Sequence, residues 1–181
     1  MTKLSDFPVP LLGFAAFSGT GKTTLLEQLI PLLVRQGLKV ALVKHSHHDI
    51  EMDQPGKDSY RLRKAGASQL VLAGTQRAIL FCEYGQKKDS ELHEQLALLQ
   101  TDCLDLVLVE GFREQPFNKI ELHRNELDKP FLFKNDRTII AVACDGPVAD
   151  CDLPVLDLNN PAAISEFVCR FAKTSGQKSL A

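Results

Sequence analysis

The sequence predicts an α/β protein built on a mainly parallel β-sheet flanked by helices, with a small β-hairpin extension. Short apolar runs typical of buried strands alternate along the chain with longer segments whose apolar residues recur at helical spacing. One run, at residues 104–109, is almost wholly apolar, as expected of a strand that a parallel sheet buries on both faces. We therefore expect this run to lie centrally in the sheet.

The composition is that of a single globular domain. The chain has 181 residues, 44% of them hydrophobic and 24% charged, and a net charge of −2. We expect one domain at residues 1–174 and a disordered tail at residues 175–181. The charge balance argues against nucleic-acid binding. No apolar run reaches the ~18 residues of a membrane span, and no signal peptide is evident, so we expect a cytoplasmic protein without membrane contact.

The first elements surround a glycine-rich segment. An apolar run predicts a buried strand at residues 11–17. Residues 22–35 predict a helix, because leucine and isoleucine recur on one stripe, and Gly37 is a suitable end for it. A second strand is expected at residues 38–45.

The middle of the chain predicts a hairpin between two helices. A short helix at residues 59–65 precedes strands at residues 69–73 and 78–83, which a turn at residues 74–77 joins. The segment 90–100 carries leucines on one stripe and predicts a helix.

The last third of the chain predicts further strands and a closing helix. Residues 120–123 alternate apolar and polar, which favours an exposed strand, and residues 131–133 are a candidate partner across a turn. Residues 138–144 predict a buried strand. Residues 161–173 predict a helix, with proline in its first turn.

The segment between the first strand and the first helix has the pattern of a phosphate-binding loop. Gly19 and Gly21 permit the backbone angles that direct several N–H groups at one phosphate, at the positive end of the helix dipole. Lys22 is placed to reach the β- and γ-phosphates, and the Thr23 hydroxyl to bind Mg²⁺. We expect the nucleotide phosphates to be held by Ser18, Gly19, Thr20, Gly21, Lys22, Thr23 and Thr24.

The loop departs from the common pattern at its first glycine position, which Ala16 occupies. A methyl group is tolerated there when φ is negative, so we interpret the loop as a variant. The fold class is therefore P-loop NTPase-like. The loop alone specifies neither the nucleotide nor a reaction.

A second carboxylate is needed to hold Mg²⁺, and Glu110 is the candidate. It ends the apolar strand, at the carboxyl edge of the sheet where α/β proteins bind their ligands. We predict that Thr23 and Glu110 hold the metal and that Lys22 and Glu110 take part in catalysis. Asp105 begins the same strand at the opposite edge and is a poor candidate.

The end of the second predicted strand carries three histidines and an aspartate within residues 45–49. A zinc site is the minority interpretation, because adjacent histidines would have to converge from an irregular loop. We expect this strand to end beside the phosphate loop. Asp49 is then a catalytic candidate that orients water or Mg²⁺ ligands, with Asp53 a weaker one.

Two further features keep alternative interpretations. Lys57, Arg61, Arg63 and Lys64 form either a solvated helix face or an anion-binding face. Asp145, which follows the strand at residues 138–144, either accepts hydrogen bonds from guanine or is an ordinary turn residue before Gly-Pro.

The cysteine pattern indicates a reducing compartment. The chain has five cysteines and no C-x-x-C pair. Cys82, Cys103 and Cys144 lie in or beside apolar runs, and we expect them to be buried and reduced.

Four motifs together resemble the MobB family, the adapter proteins of molybdopterin-guanine dinucleotide biosynthesis. They are the phosphate loop at residues 18–25, the Lys-His-x-His-His-Asp segment at residues 44–49, the segment 55–67 and the Leu-Val-Glu-Gly-Phe segment at residues 108–112. The resemblance extends over most of the chain, from about residue 11 to the last helix.

The resemblance implies a GTP-binding protein with weak GTPase activity that uses Mg²⁺ and forms a homodimer. It also implies a partnership with the MobA guanylyltransferase and contact with molybdopterin or its guanine dinucleotide. Residues 57–63 would be a family-specific surface. The alternative function is a small-molecule P-loop kinase, for which Arg61, Arg63 and Arg77 are candidate lid residues.

Overall fold

A computed structural model describes residues 4–46, 49–86 and 89–176 of the chain. The chain divides into two compact units, Met1–His45 with Glu91–Ala181 and, separately, Ser46–Ser90. The single domain expected at residues 1–174 stays a prediction. Within the described residues the strands are β1 (Leu11–Ala15), β2 (Val40–Lys44), β3 (Gln69–Ala73), β4 (Ala78–Cys82), β5 (Leu106–Glu110), β6 (Lys119–His123), β7 (Ile139–Cys144) and β8 (Val155–Asp157). The α-helices are α1 (Lys22–Arg35), α2 (Asp58–Lys64), α3 (Leu92–Leu96) and α4 (Pro161–Gly176).

The first unit is a six-stranded sheet in the order β2-β5-β1-β6-β7-β8. Each neighbouring pair is parallel, which confirms the predicted fold class. Since the strands run the same way, their carboxyl ends share one edge. That edge receives the loop after β1, Glu110 at the end of β5 and the segments that follow β6, β7 and β8.

Helices cover both faces of this sheet, so its central strands are buried throughout. On one face, Leu12 and Leu108 pack with leucines of α1 and apolar residues of α4. On the other, Leu11 and Val107 pack with Leu92 of α3. The buried apolar side chains on the two faces hold the carboxyl ends of β1 and β5 side by side, which fixes the frame of the candidate site.

The structure corrects the prediction for β6. Its residues are buried, and it runs parallel between β1 and β7 instead of forming an exposed hairpin. Residues 131–133 are not a strand. The backbone N–H groups of Leu132 and Phe133 donate to the Glu121 carboxylate at 2.7 and 2.8 Å. The polar side chains that suggested exposure are therefore buried beneath a covering segment and satisfied there.

Other boundaries also differ from the expectations. β2 is the edge strand and lies beside β5, one strand away from β1, and its last residue, Lys44, reaches the Glu110 carboxylate at 3.0 Å at the edge where the phosphate loop lies. β8 was not predicted, and α3 is shorter than the helix expected at residues 90–100. Residues 175–176 belong to α4 instead of a disordered tail, and residues 177–181 lie outside the described part of the chain.

All five cysteines are free. Cys144 is buried as expected, whereas Cys82 is only half-buried and Cys103 is exposed, which corrects the prediction for both. Apolar neighbours in sequence do not bury Cys103, because it lies in a single 3₁₀ turn between α3 and β5.

The second unit consists of helix α2 and an antiparallel hairpin of β3 and β4, as the sequence predicted. Leu70 pairs with Phe81 and Val71 with Leu80 across the hairpin. Throughout residues 4–46, 49–86 and 89–176, no helix is long and apolar enough to span a membrane.

Candidate functional site

The loop between β1 and α1 has the backbone geometry expected of a phosphate-binding loop. Gly19 and Gly21 adopt left-handed conformations with φ of 84° and 93°. A Cβ at Gly19 would meet open space, so backbone conformation, and not room, favours glycine there. The Thr20 hydroxyl donates to the Phe17 carbonyl at 2.8 Å and fixes the loop from within. Helix α1 begins at Lys22, which directs its N-terminus at this loop.

The Lys22 side chain folds back over the loop. Its ammonium group lies 3.4 Å from the Ala16 carbonyl and 3.3 Å from the Phe17 carbonyl. Ala16 thus contributes its backbone carbonyl oxygen as an acceptor for the Lys22 ammonium group. Partial burial lowers the pKa of Lys22, and repulsion from Lys44 and Arg113 lowers it further, while Glu110 opposes this effect. The ammonium group is therefore short of compensating negative charge.

Thr23 and Glu110, the two predicted Mg²⁺ ligands, converge across the sheet edge. The Thr23 hydroxyl lies 3.5 Å from Glu110 Oε1, and the Lys44 ammonium lies 3.0 Å from Glu110 Oε2. A hydroxyl and a carboxylate are hard oxygen donors of the kind that Mg²⁺ takes, usually together with waters and phosphate oxygens. This donor set fits the metal. The Lys44 ammonium group compensates the negative charge of Glu110, as a metal ion held by Glu110 would also do.

Arg124, which sequence reasoning missed, contacts the loop from the segment after β6. Its Nε donates to the Thr20 carbonyl at 3.1 Å, and its Nη1 lies 3.5 Å from both Asp145 Oδ2 and Asn159 Oδ1. Asp145 also accepts the backbone N–H of Asn125 at 3.0 Å. Arg124 directly follows β6, and a strand placed correctly in the parallel sheet would have pointed to it. Because the sequence predicted a hairpin at residues 120–133, Arg124 was not assigned to the carboxyl edge of the sheet.

Comparison with known proteins identifies the family. The family model for MobB, molybdopterin guanine dinucleotide synthesis protein B, matches residues 11–145. The chain belongs to the MobB family. The resemblance drawn from the four motifs is thereby confirmed.

Two MobB relatives match nearly the full chain. The chain is 46% identical over 161 residues to the molybdopterin-guanine dinucleotide biosynthesis adapter protein of Escherichia coli K12, which covers 88% of this chain and 91% of the relative. It is 42% identical over 160 residues to the protein of that name from Haemophilus influenzae, which covers 88% of each chain.

Solved MobB structures share the fold. A crystal structure of molybdopterin-guanine biosynthesis protein B superposes with a TM-score of 0.69 at 26% identity, covering 90% of this chain and 99% of that one. The MobB homologue from Bacillus stearothermophilus gives a TM-score of 0.66 at 25% identity, covering 91% and 98%. The P-loop NTPase-like architecture is thus the family's own.

The MobB-like segment 55–67 lies in the second unit, and its most buried cationic side chain is that of Arg63. Arg63, whose side chain is 4% exposed, lies 2.8 Å from Glu51, 3.5 Å from Asp53 and 2.6 Å from Glu83. Its guanidinium also lies 4.4 Å from the centre of the Phe81 ring. We call these residues the Arg63 cluster. Both sequence interpretations of the basic segment are wrong for Arg63, because its charge is compensated by carboxylates of its own unit.

The remaining cations of this segment face solvent. Arg61 lies 3.6 Å from Asp58 with both side chains largely exposed, and Lys64 lies 3.6 Å from Glu51. Hydrogen bonds from Arg63 lower the pKa of Glu51 to about 2. The cluster therefore ties residues 51–53, α2 and β4 into one unit.

The predicted catalytic residue Asp49 is exposed and lies in the second unit. His47 and His48, two members of the proposed zinc cluster, lie outside the described residues. Among the residues that the structure describes, no group of three or more histidine, cysteine, aspartate or glutamate side chains is arranged to hold a metal ion. The roles of Asp49 and of the histidines stay predictions.

Proposed function

We propose that this protein binds GTP and acts in the cytoplasm as an accessory protein of molybdopterin-guanine dinucleotide biosynthesis, with weak Mg²⁺-dependent GTPase activity. Its proposed partner is the MobA guanylyltransferase, which it assists as a homodimer in contact with molybdopterin or its guanine dinucleotide. The pathway is supported by membership of the MobB family and by relatives named as its adapter proteins.

The observation that carries nucleotide binding is the convergence of Lys22, Thr23 and Glu110 beside a loop with two left-handed glycines. Loop amides and the start of α1 would bind phosphate oxygens, and the Lys22 ammonium would exchange its carbonyl contacts for phosphate contacts. Mg²⁺ held by Thr23 and Glu110 would neutralise charge on the β- and γ-phosphates. Asp145 would accept hydrogen bonds from guanine.

We propose that the bound GTP is hydrolysed slowly. Lys22 would stabilise charge on the γ-phosphate in the transition state. We propose Asp49 as the residue that orients the attacking water. The kinase alternative draws on Arg61, Arg63 and Arg77 as lid residues, and Arg63 is already compensated by Glu51, Asp53 and Glu83, which disfavours it.

Calorimetric titration of GTP and of ATP, each with and without Mg²⁺, tests the proposal. We expect GTP to bind more tightly than ATP and Mg²⁺ to strengthen binding. Hydrolysis assays should then show slow release of phosphate from GTP. Equal affinity for both nucleotides, or stoichiometric phosphate transfer to an added pterin or other small acceptor, would contradict the proposal, and the second result would support a kinase.

A further inference from the structure

Arg124 links three segments that meet at the carboxyl edge of the sheet. It follows β6, the strand beside β1, and its side chain is 30% exposed. One guanidinium contacts the phosphate loop through Thr20, the segment after β7 through Asp145 and the segment after β8 through Asn159. A rigid, planar group with several donors suits such a bridge, whereas a flexible point charge does not.

The contact with Thr20 orients the phosphate loop. A trans peptide is planar, and its carbonyl and N–H groups point in opposite directions. Because Arg124 Nε holds the Thr20 carbonyl at 3.1 Å, the N–H of Gly21 must point away from Arg124. Gly21 has a φ of 93° and precedes the first residue of α1. Arg124 therefore fixes the direction of one amide in the loop before any ligand binds.

The contacts of Arg124 with Asp145 and Asn159 determine which hydrogen-bond donors and acceptors these two side chains have left. A guanidinium only donates, so the Asn159 oxygen faces it and the Asn159 amide N–H₂ group remains as a donor. Asp145 only accepts when ionised, and the Asn125 N–H at 3.0 Å fixes one of its oxygens. A Cβ at Gly146 would lie 2.4 Å from Asn125 Nδ2, so Asn125 is closely packed in this arrangement.

This pairing of donor and acceptor matches guanine and mismatches adenine. Guanine presents a carbonyl oxygen that accepts and, beside it, N–H groups that donate, while adenine presents an amino group where guanine has the oxygen. An aspartate and an asparagine amide complement guanine, and an adenine in the same place would leave polar groups unpaired.

We propose that Arg124 is a positioning residue that joins guanine recognition by Asp145 and Asn159 to the conformation of the phosphate loop. This inference rests on the proposed binding of GTP and adds the residues that determine its base preference. The ligand is a guanine nucleotide with at least two phosphates.

The test compares Arg124→Ala, Arg124→Lys and the matched surface variant Arg137→Ala, each titrated with GTP and ATP in Mg²⁺. Arg137 is exposed and precedes β7, at the opposite end of that strand from Asp145. For Arg124→Ala we expect GTP affinity to fall roughly ten- to a hundredfold, as for the loss of one charge-assisted hydrogen bond. ATP affinity should fall less, so the preference for GTP shrinks. Arg124→Lys should recover part of the affinity but not the preference, and Arg137→Ala should match the wild type.

A second variant keeps the test decisive if Arg124→Ala does not fold. Asn159 is exposed, and Asn159→Asp replaces the donor by an acceptor, so it should reduce the preference for GTP while leaving the melting temperature unchanged. Equal losses for both nucleotides in Arg124→Ala, or an unchanged preference in Asn159→Asp, would overturn this inference alone. A wild-type protein that binds no nucleotide would overturn the proposed function as well.

Discussion

Replacing Glu110 by glutamine tests the metal site directly, because the substitution keeps the size of the side chain and removes its charge. Glu110 is 12% exposed, with Thr23 3.5 Å from one oxygen and Lys44 3.0 Å from the other. Altering even a group that only orients the ligands of a metal typically weakens metal affinity ~10- to 100-fold, which corresponds to about 1.4–2.8 kcal/mol. We expect the Mg²⁺-dependent part of GTP affinity to decrease by this amount.

The same substitution should have little effect on stability. Lys44 is 53% exposed, and ion pairs with an exposed partner contribute only about 0–1 kcal/mol. Without Mg²⁺, GTP affinity should stay level or rise, since a negative charge has been removed beside the phosphate site. Metal dependence and stability therefore separate in this variant.

Isothermal calorimetry with GTP in Mg²⁺ and in EDTA measures the effect. Asp105→Asn is the matched control, because Asp105 precedes the same strand at the opposite sheet edge and accepts the Lys39 backbone N–H at 2.7 Å. The control should retain the full Mg²⁺ dependence. If Glu110→Gln shows the same Mg²⁺ dependence as the wild type, the assignment of Glu110 to the metal is wrong.

Three further predictions address the loop and the second unit. Lys22→Ala should abolish GTP binding in calorimetry, because it removes the ammonium group proposed to bind the phosphates. Its circular dichroism spectrum should be unchanged, because the fold loses only contacts of 3.3–3.4 Å to two carbonyls; retained affinity would contradict the phosphate role. Gly21→Ala should lower the free energy of unfolding by about 1–2 kcal/mol in denaturant titrations, because its φ is 93°, whereas Gly85→Ala, outside the left-handed region, should not. Because Arg63 lowers the pKa of Glu51 from 4.5 to about 2, this carboxylate stabilises the fold above pH 4.5 and the contribution disappears as pH falls toward 2. Melting curves across that range should show a weaker acid dependence in Glu51→Gln, and an identical dependence would refute the pairing.

Local signals allowed the phosphate loop and its flanking elements to be predicted from sequence. Helix α1 spans Lys22–Arg35, the predicted residues, because its start follows a glycine and its leucine stripe has helical spacing. The hairpin of β3 and β4 also lies where apolar runs flank a turn. Each of these elements depends on residues close together in the chain.

Features set by distant residues escaped prediction. Lys119, Glu121 and His123 alternate with apolar residues on β6, a pattern that normally indicates one exposed face. Here the segment 125–138 covers that face and supplies Leu132 and other partners, including the ion pair between Lys119 and Asp136. Nothing within the strand itself encodes those partners. Because β6 was misplaced, its carboxyl-terminal neighbour Arg124 could not be assigned to the site.

At the sheet edge, the residues that would determine affinity for the phosphates differ from those that would determine specificity for the base. Among the described residues, those that act electrostatically on Lys22 are Lys44, Arg113 and one carboxylate, Glu110, which is already paired with Lys44. This excess positive charge adds to the start of α1 and favours any polyphosphate, whatever its base. The proposed preference for guanine over adenine would then arise where donors and acceptors are arranged in a fixed pattern. Within the described part of the first unit, Asp145 and Asn159 are the residues proposed to provide such a pattern, and Arg124 connects them to the proposed phosphate-binding loop.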